Sequence, residues 1–176
     1  MRILRLLGRM TAFLAKALRR TEPDSSSHEL KNIGKAYRVL QHVTLRYDRE
    51  QQEIDNLVIG PNGVFHIETK TYSGSLVFHS SGLTHDGREI EDPTGQVYRH
   101  QYILESILAE AGVTCDIFGI ICFSDPQCTL TGASSAFITC RSDQLLYEIK
   151  TKVSNHFLTK AAIDKIVMAL EKSGAP

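Results

Sequence analysis

The segment Glu53 to Lys70, EIDNLVIGPNGVFHIETK, constrains this chain more than any other stretch. Two apolar, β-branched runs flank Gly60-Pro61-Asn62-Gly63, a cluster of turn formers, and this pattern predicts a β-hairpin with a four-residue loop. Placing Ile59 opposite Val64 sets the register, because a slip of one residue would turn every side chain to the other face. In that register Asp55 faces Glu68 and Glu53 faces Lys70. Side chains alternate with period two, so Asp55, Leu57 and Ile59 share a face with Val64, His66, Glu68 and Lys70. The other face carries Ile54, Val58, Phe65 and Ile67 and belongs to a core.

Two carboxylates directly opposed across a hairpin have Cβ atoms about 4.5–5.5 Å apart and repel each other. A cation between them, a proton on one of them, or a nearby ammonium relieves the repulsion, and Lys70 is such an ammonium. One reading is a Glu53–Lys70 ion pair with Asp55 capping the strand, an arrangement that stabilises little. The other is a divalent-cation site beside a lysine. Acidic residues are depleted inside strands whose other members are apolar, so their presence here points to the second.

Around the hairpin the pattern alternates between strand and helix. Residues 21–27, TEPDSSS, are turn and cap material, and His28 to Asn32 form a short helix ended by Gly34. Tyr37 to Tyr47 is a strand, with Tyr37, Val39, Gln41 and Val43 on one side and Arg38, Leu40 and His42 on the other. Asp48 to Gln52 is a charged turn, and Leu76 to His79 is a strand within a Gly- and Ser-rich segment. A helix starts with Asp92 as N-cap and Pro93 in the first helical position, carries Val97, Gln101, Leu104, Leu108 and Ala111 inward, and stops at Gly112. Strands follow at Asp116 to Phe123 and Ala136 to Cys140. Thr159 to Lys172 is an amphipathic helix with Ile163, Ile166, Val167 and Leu170 on its stripe. A β-meander followed by αβ units predicts a mixed α/β class.

The 20 basic and 20 acidic residues give a formal net charge of zero, and this hides an asymmetry. Residues 1–20 hold six basic side chains and no acid, leaving 14 basic against 20 acidic from residue 21 onward. Ile3, Leu6, Leu7, Met10, Phe13, Leu14, Ala17 and Leu18 fall on one helical stripe, with Arg2, Arg5, Arg9, Lys16 and Arg20 opposite. Residues 1–20 are therefore a basic amphipathic arm, and residues 21–176 are the domain. The arm suits anionic lipid, a phosphate backbone, or packing on the domain or a partner subunit. Its longest uncharged stretch, six residues, is too short to span a bilayer. Cys115, Cys122, Cys128 and Cys140 form no CxxC pair and suit core thiols in a reducing cytoplasm, with peripheral attachment at the inner membrane face as the alternative location. The sequence contains no GxxxxGK loop, no GxGxxG and no GxSxG elbow, which removes the common nucleotide-binding and hydrolase motifs.

Asp55, thirteen residues before Glu68-Thr69-Lys70, resembles the D…E-x-K core of the PD-(D/E)XK nuclease fold. The longer stretch EIDNLVIGPNGVFHIETKTYSG resembles the nuclease-related domain (NERD) family. The segment DPTGQVYRH is similar to that family's Asn-Pro-x-x-Gln helix start, with Asp92 in place of Asn and with Pro93, Gln96, Arg99 and His100 in step. The resemblance runs from about Tyr37 to about Glu110. It implies a restriction-endonuclease-like core, a central mixed β-sheet flanked by helices, and metal-dependent phosphodiester hydrolysis of nucleic acid, DNA foremost. By the same resemblance Asp55, Glu68 and the Thr69 carbonyl hold Mg²⁺, for which Mn²⁺ can substitute. Lys70 then orients water or offsets transition-state charge, Gln96 contacts the active site or a backbone phosphate, and Arg99 and His100 contact nucleic acid. Relatives place a further metal-assisting carboxylate at the start of the first helix, an element poorly matched here, where Glu22, Glu29 or neither fills the role. The alternative is a non-catalytic module of the same fold that binds nucleic acid or a partner and attaches to membrane through residues 1–20.

Overall fold

In the computed structural model, which describes residues 25–174, β2 (Glu50–Gly60) and β3 (Gly63–Lys70) pair antiparallel with Ile59 opposite Val64. This is the register expected from the sequence. Gly63 has φ 127°, and a Cβ there would lie 2.6 Å from the Asp116 carbonyl oxygen, so the turn excludes a side chain on both counts. Edge strand β1 (Arg38–Tyr47) pairs antiparallel with β2, while β7 (Ile117–Phe123) and β9 (Ile138–Arg141) extend the sheet in parallel from β3. The strand order β1-β2-β3-β7-β9 is that of a mixed sheet. Its parallel half needs a crossover, which α2 (Thr94–Glu110) supplies.

Helices cover both faces. On one, α2 and α4 (Lys160–Lys172) bury Leu57, Ile59, Val64, Ile103, Leu104 and Ile166. On the other, α1 (Ser25–Leu30) and α3 (Ser142–Thr151) bury Leu30, Val58, Phe65, Ile67 and Leu145. The hairpin is therefore core on both faces, as expected of strands in the middle of a covered sheet. A second sheet, ordered β6-β5-β4-β8, packs its Leu76, Leu83 and Cys128 against Val97, Ile121 and Phe123. Its strands are β4 (Gly74–His79), β5 (Gly82–His85), β6 (Arg88–Ile90) and β8 (Cys128–Thr131).

Several local expectations change. The short first helix spans Ser25–Leu30, so the serines start it instead of preceding it. Only Asp48 and Arg49 make the β1–β2 turn, and Glu50 to Gln52 already belong to β2. Helix α2 begins one residue late, with Pro93 as N-cap, although the Asp92 carboxylate still accepts the Thr94 N–H at 2.8 Å. The largest change lies at His42, whose φ is 51°, a left-handed value that is uncommon outside glycine. Gln41 pairs with Asn56 and Val43 with Ile54, but the His42–Asp55 step between them makes no bridge. Both strands invert their facing there. Leu40 and Val43 pack on the same core, and Ile54 joins Leu57 and Ile59 instead of Val58. Cys122, Cys128 and Cys140 are buried and Cys115 half-buried, all as free thiols. Among the described residues no helix is long and apolar enough to cross a membrane. The basic arm and Glu22 lie outside the described residues.

Candidate active site

The β2–β3 ladder ends at Asn56 opposite Ile67. Beyond that step the strands part, and the Thr69 N–H donates to Asp55 Oδ2 at 2.8 Å. A carboxylate thus takes a bond from β3 just where the ladder has ended. On its other edge β3 stays paired with β7 as far as Lys70 opposite Phe123, which fixes the backbone beneath Glu68 and Lys70. The expected facings of Asp55 with Glu68 and of Glu53 with Lys70 are not formed: the ladder stops before either pair, and Glu53 stands across from Thr44 of β1.

Glu68, Lys70 and Gln96 close a ring of polar contacts under the first turn of α2. Lys70 Nζ lies 2.6 Å from Glu68 Oε1 and donates to Gln96 Oε1 at 3.2 Å. Gln96 Nε2 donates to Glu68 Oε2 at 2.8 Å. Gln96 therefore uses both ends of its amide to clamp the carboxylate and the ammonium that already touch. The Glu68 side chain is 4% exposed and that of Lys70 27%. Burial, reinforced by the negative charge of Asp55, pushes the Glu68 carboxyl pKa up, while Lys70 and Gln96 pull it back.

A carboxylate made more basic by burial, and then by a second carboxylate, is one whose charged form a bound cation would stabilise. The donors at hand are hard oxygens, from Asp55, Glu68 and the backbone at Thr69, and this set fits a small divalent cation that keeps several of its waters. The described residues bring no cluster of three or more His, Cys, Asp or Glu together, so such a cation would rely on those two carboxylates. Glu29, on α1, takes no part in the described contacts of the site.

Behind Thr69 lies a polar network that sequence reading missed. The Ser26 and Thr69 hydroxyls are 3.1 Å apart, and Asn56 Nδ2 donates to Ser26 Oγ at 3.4 Å. Asn56 Oδ1 accepts from Gln41 Nε2 at 3.1 Å and from Ser27 Oγ at 3.3 Å. Through Asn56, 1% exposed, the first helix and the edge strand both brace the residue between Glu68 and Lys70. The available signal was an asparagine inside an otherwise apolar strand run.

His100 is a correction. It is fully buried on the inner face of α2, edge-on to His66 with ring centroids 6.0 Å apart, and is not a surface that nucleic acid can touch. Burial lowers its pKa to about 3, helped by the neighbouring His66, Arg99 and Lys70. Burial likewise lowers the His66 pKa to about 4, opposed by its 2.7 Å bond to Gln101. Neither His100 nitrogen has a well-aligned hydrogen bond, although the Glu53 backbone lies close enough to favour the charged form slightly. Arg99 remains exposed, with Nη1 lying 3.9 Å from where a Cβ on Gly95 would stand. In the Tyr72-Ser73-Gly74 motif the glycine has φ 87°, and a Cβ there would meet the Asp86 carboxylate at 2.7 Å. That close approach lets Asp86 Oδ1 accept the Ser75 N–H at 2.8 Å and tie the turn between β5 and β6 to the start of β4.

A mixed sheet covered by helices, with an Asp and an E-x-K triplet at the open end of its central hairpin, defines a nuclease-like α/β core. The family model of the nuclease-related domain matches residues 14–124, and the chain belongs to that family. The match takes in the hairpin, the second sheet up to β6, α2 and β7, whereas β8, β9, α3 and α4 lie beyond it. No curated protein matches the chain closely.

Proposed function

We propose that the protein is a metal-dependent phosphodiesterase acting on nucleic acid, DNA foremost. The observation that carries this reading is the Glu68–Lys70–Gln96 ring beside Asp55, which couples a buried acid of raised pKa to an ammonium at the partly open end of a strand. Asp55, Glu68 and the Thr69 carbonyl would hold Mg²⁺, or Mn²⁺ in its place. When bound there, the ion supplies polarisation of a phosphodiester oxygen and a water of lowered pKa. The Lys70 ammonium, held between two oxygens, offsets the charge that develops on phosphorus oxygens. With its ammonium already engaged by Glu68 and Gln96, Lys70 suits charge stabilisation better than general-base work. Gln96 holds Lys70 and Glu68 at a set separation. Arg99, exposed on the same helix, contributes a cation for the phosphate backbone, which an acidic body would otherwise repel.

The engagement of both Glu68 oxygens by Lys70 and Gln96 supports a second reading, a non-catalytic module of the same fold that binds nucleic acid or a partner. Incubation with linear, circular and single-stranded DNA and with RNA, in Mg²⁺ or Mn²⁺ and then in EDTA, separates the two. Metal-dependent cleavage lost in Asp55→Ala and Lys70→Ala is the expected result. Binding without cleavage under every condition would leave the second reading standing.

A further inference from the structure

The opposite end of the hairpin carries a different device. The segment joining α3 to α4 is tied down from several directions. Asn62, in the β2–β3 turn, donates Nδ2 to the Ile149 carbonyl at 2.7 Å and to the Lys152 carbonyl at 3.1 Å. The Leu158 N–H donates to the Pro61 carbonyl at 2.7 Å. Asp116 Oδ2 accepts from Ser154 Oγ at 2.6 Å, from the Asn155 N–H at 2.6 Å and from the His156 N–H at 3.3 Å, and its Oδ1 lies 3.1 Å from His156 Nδ1.

A loop held this firmly could fold its apolar side chains inward. Instead Val153 is 85% exposed and Phe157 79% exposed. A fixed backbone that presents a valine and a phenylalanine to water forgoes the burial each could gain, which is the signature of a contact made with something else. The charge around them is mainly basic. The Asp116 carboxylate is taken up by the loop's own donors, and Asp164 pairs with Lys160 at 2.8 Å, leaving Lys150 and Lys152 beside the apolar pair. Lys150, Lys152 and Lys160 flank the two apolar residues, and no acid occurs between Glu148 and Asp164. Lys152 lays its ammonium 5.0 Å from the Phe118 ring centroid.

We propose that this loop is a docking tip for an anionic bilayer: Val153 and Phe157 enter the headgroup region, and Lys150 and Lys152 meet lipid phosphates. Apolar tips ringed by lysines match the chemistry of an anionic interface, where burial and charge attraction add. The position of the tip favours lipid over the nucleic-acid substrate. From Gly63 beside the tip to Lys70, β3 covers about 23 Å at ~3.3 Å per residue. A membrane seated at the turn end therefore leaves the candidate active site facing away from it, open to a long polymer. The proposal does not depend on the catalytic reading and involves residues other than the basic arm.

The chain contains no tryptophan, so Phe157→Trp in the full chain gives a single reporter at the tip. Vesicles of phosphatidylcholine with phosphatidylglycerol are expected to shift its emission to the blue, and acyl-brominated lipid to quench it. Pure phosphatidylcholine vesicles should do so far less. In the protein without that reporter, Val153→Ser with Phe157→Ser should weaken co-sedimentation with the mixed vesicles about tenfold or more, the loss expected from removing a buried phenylalanine, with the thermal midpoint unchanged. Emission that stays put while the chain sediments with vesicles would overturn the proposal, because another region would then be the one that binds. A shift produced by DNA in the absence of vesicles, or by raised protein concentration alone, would overturn it too.

Discussion

The two ends of the β2–β3 hairpin are built from the same two strands and behave as different materials. Near the turn, from Gly60 opposite Gly63 to Asn56 opposite Ile67, the ladder is continuous, and Leu57, Val58, Ile59, Val64, Phe65 and Ile67 are fully buried. At the open end the strands part, a carboxylate takes a backbone N–H at the fork, and Glu68, Lys70 and Gln96 satisfy one another. The contrast shows how a folded core tolerates charge: the acids stand where the ladder has ended, and each has a donor within reach. Stability resides at one end, and the proposed chemistry at the other.

That division can be broken by mutation. Phe65→Ala, at the packed end, should cost about 3–5 kcal/mol of unfolding free energy in denaturant titrations. Glu68→Gln, at the open end, should cost less, about 1–2 kcal/mol, since it relieves a carboxylate that burial and Asp55 disfavour and keeps a carbonyl oxygen for Gln96, while the part-exposed Lys70 can turn to water. Equal losses at the two positions would dissolve the comparison.

The two buried histidines sit at the boundary and make it pH-sensitive. Their folded pKa values, about 4 for His66 and about 3 for His100, lie below the ordinary imidazole value of 6.5. In that window the unfolded chain binds more protons than the folded one, so stability is complete above about pH 6.5 and falls as the pH drops toward 4. The slope approaches about 1.4 kcal/mol per pH unit for each histidine. Denaturation at a series of pH values measures it, and His100→Leu should flatten the slope while leaving any cleavage intact.

Smaller effects sharpen the same picture. Gln96→Ala should lower metal-dependent cleavage about 10–100-fold, the usual cost of losing a partner that orients ligands, with little change in melting. Asp92→Ala, which frees the Thr94 N–H at the start of α2, should cost about 1 kcal/mol in thermal unfolding.

Much of the packed end was legible in the sequence. The β-branched alternation and the Gly-Pro-Asn-Gly turn set the register because one-residue slips are so costly there. Asp55, Glu68 and Lys70 stood out as charges inside an apolar hairpin, and Gln96 joined them only through resemblance to the nuclease-related domain. The inversion at His42 and Asp55 was not readable, because both strands turn over at one step and the left-handed residue is not a glycine. The second sheet escaped because β5, β6 and β8 are three or four residues long, too short to show a period. Helix α3 escaped because Leu145 and Ile149 are its only buried residues, a stripe too thin to stand out. His100 fitted the family pattern by position, yet α2 turns it toward the sheet, where burial decides its role.

The central claim, that the open end of this hairpin is a divalent-cation site, is tested most directly by calorimetric titration of the full chain with Mg²⁺ and Mn²⁺. Saturable binding in the wild type that disappears in both Asp55→Asn and Glu68→Gln is the expected result. Binding of undiminished affinity in Glu68→Gln, or none in the wild type, would contradict it.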